Sequence, residues 1–189
     1  MNRDKLFAPL TWLALVVMQP TFASDVPVGW GLFGTSPEDY AAGITFSHAY
    51  SGTGSGYLKS ISTEPTGFGT LMQKVDAFNY RGTRVRLTAI IQATQVDNWA
   101  GMWMRVDGPS RRGVSFDNMS DRPIRGTVGW RSYEIELDVS EDSEVIAFGV
   151  LLNGTGEVLL DDVRVESIGA AQSTRPGLPL APVNLGFED

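Results

Sequence analysis

The sequence contains no cysteine and only one histidine, His48. Without cysteine there are no disulfide bonds, no zinc sites built on thiolates and no cysteine nucleophile. A single histidine excludes a metal site with two histidine ligands, and no Gly-x-Ser-x-Gly motif of a serine hydrolase is present. The chain must therefore be stabilised by packing, and it is long enough to bury one good core.

Positive charge is also scarce, since 15 Lys and Arg residues stand against 22 Asp and Glu residues, for a net charge of −7. Such a chain is repelled by nucleic acid and by anionic lipid surfaces, so we expect neither as a partner. The glycine-rich residues 51–56 lack the lysine of a phosphate-binding loop and indicate a connection beside a ligand face.

Long apolar runs are absent except near the start of the chain. Residues 1–23 combine Arg3 and Lys5 with an apolar run at 10–18 and small residues suited to cleavage after Ala23. The run is about half as long as a membrane span requires. This pattern predicts a signal peptide and export to the periplasm or the exterior, with no membrane attachment after cleavage.

Helical periodicity is missing from the rest of the chain, which instead alternates apolar and polar residues in short stretches separated by Gly, Pro, Asn and Asp. This pattern predicts an all-β fold of two antiparallel sheets packed face to face. The predicted strands are 43–49, 57–62, 70–75, 83–94, 99–106, 113–116, 131–139, 144–152 and 157–166. Residues 145–152 are apolar on both faces, which predicts a central strand covered twice.

Two boundaries follow from this pattern: residues 24–168 form the sandwich, and the Pro- and Gly-rich residues 169–189 form a tail. The tail ends in 184–189, whose Leu185 and Phe187 alternate as in a strand. This ending is either the remnant of a following domain or an edge strand for this sandwich or a neighbour's.

The stretch 99–106 is the best candidate for a binding surface. Alternation sends Met102 and Met104 to one face and Trp99, Trp103 and Arg105 to the other. Two indoles and a guanidinium, with a glycine between them that leaves room, suit the apolar faces and hydroxyl groups of a sugar ring. The alternative is that a loop or the second sheet covers the tryptophans as part of the core.

Two polar clusters supply further candidates. Asp117, Asn118 and Arg122 follow a predicted strand, where they either close one end of a binding groove or fix a turn, with Arg122 paired to Asp117 or Asp121. The second cluster is formed by Asp161 and Asp162. The alternation of apolar and polar residues changes phase at this point, which indicates a bulge. These two carboxylates either hold a structural calcium ion or accept hydrogen bonds from backbone amides.

Three carboxylates alternate along one predicted strand, at Glu134, Glu136 and Asp138. Their spacing of about 6.5 to 7 Å by strand rise overlaps that of an inverting glycosidase pair. However, an acidic row is also what the wet face of a strand contains, and we expect no catalysis from it.

Several of these segments together resemble galactose-binding-like jelly rolls, which include many carbohydrate-binding modules. The resemblance is carried by Trp130-Arg131-Ser132-Tyr133, by 146–152 and 156–163, and upstream by 80–87, 99–108, 116–119 and 121–124. Together these segments look like a bacterial subgroup of that fold, found alone or appended to transcriptional regulators and hydrolases. The resemblance covers about residues 28–167 and implies a jelly roll without catalytic residues.

The sequence thus predicts an exported, non-catalytic jelly roll that binds a glycan or small polar ligand through Trp99, Trp103 and Arg105. It predicts no cofactor other than a possible structural calcium. An alternative is a protein-interaction module whose tail donates a strand to a partner, and an acidic-site glycosidase is the weakest hypothesis.

Overall fold

The computed structural model describes residues 26–171 as an all-β sandwich of nine antiparallel strands with two three-residue 3-10 helices, Pro37–Asp39 and Phe78–Tyr80. The predicted signal peptide, and the tail from residue 172 with its possible strand, lie outside the described residues. The strands are β1 (Trp30–Gly34), β2 (Tyr40–Thr45), β3 (Ser55–Ser60), β4 (Phe68–Asp76), β5 (Thr83–Asp107), β6 (Ser115–Asp117), β7 (Ile124–Val139), β8 (Val145–Asn153) and β9 (Glu157–Ala170). None of the helices formed by residues 26–171 has the length and apolar character to cross a membrane.

The long strand β5 joins the two layers. Its first half pairs with β7 and β9, and its second half pairs with β8 and β6. One layer thus has the order β1-β4-β8-β5, and the other continues from β5 through β9 and β3 to β2. The prediction of two separate strands, 83–94 and 99–106, is wrong. Register shifts after Ile91, Ala93 and Val96 bend one continuous strand, because bulges turn a strand without ending it.

The core lies between the two layers and follows the predicted alternation. Leu87 and Ile91 from the first half of β5 and Met102 and Met104 from its second half are almost completely buried. Residues 146–152 of β8 are all buried, so the prediction of a central strand covered on both faces is confirmed. Because period-two alternation fixes which side chains share a face, these positions could be assigned without knowledge of the layers.

Strand β1, which pairs with β4 at one edge of its sheet, was not predicted. Trp30 to Gly34 holds two glycines and no polar alternation, so the usual strand signal is missing. The strand predicted at 43–49 also begins and ends earlier, at Tyr40 and Thr45. Both differences matter, because β1 and the loop after β2 form part of the cleft described below.

Candidate functional site

The outer face of β5 carries Trp99, Trp103 and Arg105, as predicted, but the prediction that Trp103 faces solvent is wrong. Its side chain is only 6% exposed and belongs to a second hydrophobic cluster with Met72 of β4. Its Nε1 donates a hydrogen bond to the hydroxyl group of Thr70, 2.8 Å away. Trp103 is buried because β4 and β8 also present apolar side chains on this face, and Trp99 is partly buried against the same cluster.

The space that Gly101 was expected to leave for a ligand is filled by protein. A Cβ atom at Gly101 would lie 2.8 Å from the backbone oxygen of Asn118. The Arg105 guanidinium donates two hydrogen bonds to Asp107, at 2.7 and 3.0 Å, and lies 5.9 Å from the Trp103 ring centroid. Ligand binding by Trp99, Trp103 and Arg105 therefore stays a prediction, and the packing of Trp103 and Gly101 argues against it.

The loop after β6 is held together by its own polar groups. Arg122 pairs with Asp117 at 2.7 Å and with Asp121 at 2.8 Å. Asp117 Oδ1 accepts a hydrogen bond from the Met119 amide, and Asn118 Oδ1 accepts one from the amide two residues further on. The interpretation of this segment as a fixed turn is confirmed, and a binding role for Asp117, Asn118 and Arg122 stays a prediction.

The change of phase at Asp161 and Asp162 is a bulge, as predicted, in which β9 gains a residue relative to β5 and Asp162 takes a left-handed φ of 52°. Asp161 Oδ2 accepts hydrogen bonds from the amides of Tyr50 and Ser51, at 2.9 and 3.0 Å. The prediction that one of the two carboxylates accepts backbone amides is confirmed. Asp161 thereby fixes the loop after β2 to strand β9.

The geometry around Asp161 and Asp162 does not provide a set of ligands for calcium. Within residues 26–171, no group of three or more His, Cys, Asp or Glu side chains is arranged to hold a metal ion. Asp162 pairs instead with Arg164, at 3.0 Å, and Asp161 faces amide donors. Amide hydrogens that point at a carboxylate compete with a cation for the same oxygen atoms.

The acidic row on β7 is matched by arginines of β5. Glu136 bridges Arg84 and Arg86, while Asp138 pairs with Arg84 at 3.1 Å and Glu134 lies 3.8 Å from Arg86. Hydrogen bonds from Arg86 and Arg84 lower the pKa of Glu136 below its usual value. A general acid needs a raised pKa, so this row has the character of a surface ion-pair network and not of a glycosidase centre.

A different part of the fold forms a cleft of about 690 Å³ between the two layers. One wall comes from β1, β4 and β8 and includes Trp30, Leu71 and Phe148, with the Trp30 and Phe148 rings in edge-to-face contact at 5.8 Å. The opposite wall comes from β2 and β9 and includes Ile44 and Leu160. The volume falls within the range of about 300 to 1,000 Å³ common to ligand pockets.

The rim of the cleft has an exposed aromatic side chain, since Phe46, in the loop after β2, is 75% exposed. Tyr80 and Trp30 also line the cleft and are half-buried. A Cβ atom at Gly54 would lie 3.1 Å from the Phe46 ring, so this glycine gives the ring its space. Rings on a concave surface suit the apolar faces of a flat ligand.

Polar groups of the cleft lie among these aromatic side chains. Gln73 of β4 and Thr53 supply an amide and a hydroxyl group, and Asp161 and Asp162 supply carboxylates. A few polar groups in a mostly apolar pocket are what orients a small-molecule ligand. The predicted ligand residues Trp99, Trp103, Arg105, Asp117, Asn118 and Arg122 do not line this cleft, whereas the two aspartates predicted as metal ligands do.

Sequence reasoning did not identify Trp30, Phe46, Gln73 or Tyr80 as site residues. They come from four separate segments, so no local spacing connects them. One signal was available, because residues 51–56 were expected to lie beside a ligand face, and Thr53 to Gly56 do line the cleft.

Comparison with known proteins supports the fold. No family model matches the chain. The chain is 44% identical over 167 residues to the uncharacterized HTH-type transcriptional regulator YbfP of Bacillus subtilis (strain 168), a match that covers 85% of this chain. It spans only 57% of the length of that regulator.

Two solved carbohydrate-binding modules share the architecture. The CBM22-1 xylan-binding domain of Paenibacillus barcinonensis Xyn10C matches with a TM-score of 0.52 at 15% identity, over 77% of this chain and 90% of that domain. The module TmCBM61, solved in complex with β-1,4-galactotriose, matches with a TM-score of 0.52 at 13% identity, over 77% of this chain and 93% of that module. At such identities the likeness concerns the fold alone. The chain has an all-β, antiparallel jelly-roll fold like that of the CBM22 modules.

Proposed function

We propose that this protein is a non-catalytic binding module that captures a glycan in the cleft between its two layers. The observation that carries the proposal is the exposed Phe46 ring at the rim of a cleft that also holds Trp30 and Tyr80. Sugar rings have apolar faces that stack on aromatic side chains and hydroxyl edges that hydrogen-bond to groups such as Gln73. The likeness to modules that bind xylan and β-1,4-galactotriose supports the same ligand class.

The cleft replaces the outer face of β5 as the proposed site. Trp103 is hydrogen-bonded and buried, and Arg105 is occupied by Asp107. Reaching these groups would require a ligand to break packing already present, whereas Phe46 is accessible without rearrangement.

Replacement of Phe46 by alanine should weaken glycan binding about tenfold, which corresponds to about 1.4 kcal/mol of lost stacking. Xylan and β-1,4-galactan are the first polysaccharides to examine by affinity electrophoresis, followed by an oligosaccharide array for other linkages. The melting temperature should stay unchanged, because a side chain that is 75% exposed contributes little to the core.

Phe78→Ala is the matched control, since Phe78 is 70% exposed and does not line the cleft. It should bind glycan as the wild type does. Equal retention of all three proteins on a bound glycan would remove Phe46 from the site, and no retention on any glycan would overturn the proposed function.

We also propose that the module acts outside the cytoplasm. The pattern of residues 1–23 supports export, although the relative YbfP is named as a transcriptional regulator. In a bacterial host, the full chain should appear in the periplasm or medium with an amino terminus at Ser24. A chain that stays in the cytoplasm with its first 23 residues intact would contradict this proposal and favour a sensory role.

A further inference from the structure

The charges of the cleft are of one sign. Its described lining residues include two carboxylates, Asp161 and Asp162, and no lysine, arginine or histidine. Arg164, which pairs with Asp162, lines a second groove together with Arg86, and Asp162 lines both that groove and the cleft. No ion pair with a lysine or arginine occurs at Asp161 among the described residues, so its charge is left without a cationic partner.

Backbone amides, which attract anions elsewhere in proteins, are already used here. The amides of Tyr50 and Ser51 both point at Asp161 Oδ2, and the amide of Asp162 donates to Asp161 Oδ1 at 2.7 Å. A row of amides in a glycine-rich loop would otherwise form a concave site for a carboxylate or phosphate. In this loop an internal carboxylate occupies that place, and an external anion would meet negative charge.

We infer, on the basis of the proposed glycan site, that the cleft selects neutral and amine-bearing sugars and rejects sugars that carry carboxylate, sulfate or phosphate groups. Asp161 and Asp162 are the residues that set this preference. Two like charges separated by about 7 Å in a hydrated cleft weaken binding about fivefold, and an ammonium group gains by a similar factor.

Three β-1,4-linked hexamers with the same ring configuration test this selectivity: a glucose hexamer, a glucosamine hexamer and a glucuronate hexamer. They are placed on an array with neutral, amine-bearing and uronate-bearing chains of other linkages. The expected result is binding of neutral and amine-bearing chains, with uronate chains of the same linkage bound at least about fivefold more weakly. If the uronate chains bound with the same affinity as the neutral chains or more tightly, the proposed selectivity would be wrong, but the proposed glycan binding would still be supported. Absence of binding to every chain would overturn the proposed function and this inference together.

Two isosteric variants, Asp162→Asn and Asp161→Asn, then test whether the charges of these carboxylates cause the selectivity. Glu64→Gln is the control. Glu64 is exposed and does not line the cleft, so its variant changes the net charge equally without changing the site. The measured quantity is the ratio of uronate affinity to neutral affinity. We expect this ratio to rise about threefold or more in each aspartate variant and to stay constant in the control.

Asp161→Asn carries a risk to folding, because Asp161 anchors the loop after β2, but the amide oxygen of asparagine still accepts hydrogen bonds. Asp162→Asn removes only a pair with the exposed Arg164 and should fold. An unchanged ratio in the folded Asp162→Asn protein, or an equal rise in Glu64→Gln, would overturn the role of the cleft carboxylates.

Discussion

Replacement of Trp103 by alanine should lower the free energy of unfolding by about 3–5 kcal/mol, as expected for loss of a large buried aromatic side chain. The indole packs against Met72 and Leu151 and donates a hydrogen bond to Thr70, whose own hydroxyl donates to the Val150 carbonyl oxygen, 2.8 Å away. The substitution therefore leaves a cavity and removes one link of a buried chain of hydrogen bonds. Chemical denaturation followed by circular dichroism measures the loss.

Trp103→Phe separates the two contributions. It keeps the six-membered ring but loses the five-membered ring and the hydrogen bond to Thr70, so the expected cost is about 1–2 kcal/mol, well below that of Trp103→Ala. Glycan binding by the folded fraction of either variant should match the wild type, because Trp103 does not line the cleft. If Trp103→Ala kept its stability and lost glycan binding, the indole would be a ligand contact after all, and the outer face of β5 would be the site.

Replacement of Asp107 by asparagine should destabilise the protein by about 2 kcal/mol at neutral pH, the usual worth of charged hydrogen bonds. Asp107 is nearly buried and accepts hydrogen bonds from Arg105 and from the Gly113 amide, 2.8 Å away. Its carboxylate thus ties the loop after β5 to the end of that strand. Asparagine retains one acceptor oxygen but no charge for Arg105.

The destabilisation caused by Asp107→Asn should decrease as the pH falls. Burial alone would raise the pKa of Asp107, but the hydrogen bonds from Arg105 and Gly113 and the charge of Arg112 outweigh it and lower the pKa below its usual value. A carboxyl group with a lowered pKa stabilises the folded protein above its unfolded pKa of about 3.9, and this stabilisation is lost as the pH falls through the folded value.

Urea denaturation of the wild type and Asp107→Asn across pH 7 to 2.5 measures this dependence. The difference in unfolding free energy should be constant down to about pH 4 and then shrink. Asp142→Asn, at an exposed aspartate, is the matched control and should show little difference at any pH. A difference that persists undiminished at the acid limit would mean that the carboxylate charge is not what stabilises the loop.

Alternation of residue type correctly predicted which side chains of β5 share a face, but it did not predict that the outer face is covered at Trp103. Met102 and Met104 point to the core and Trp103 and Arg105 point away from it, as the sequence indicated. The sequence of β5 contains no information on what β4 and β8 place beside Trp103, so a buried outer face looked like a binding surface.

The cleft was not predictable as a site for the same reason. Trp30, Phe46 and Tyr80 belong to three separate segments, and their approach depends on which strands lie opposite each other across the two layers. The short-range features were predictable, since the bulge at Asp161 and Asp162 and the turn closed by Arg122 depend on neighbours in sequence or in one strand pair. Local hydrogen bonding is encoded locally, whereas a concave surface is not.

The sequence by itself determined the all-β class, the face of each strand and the resemblance to jelly rolls, because a period of two follows from strand geometry alone. Only the tertiary structure decided that Trp103 on the outer face of β5 is buried, that β5 is one bent strand joining both layers, and that a cleft opens beside Phe46. These outcomes depend on contacts between residues far apart in the chain, and burial is a property of the neighbours as much as of the residue.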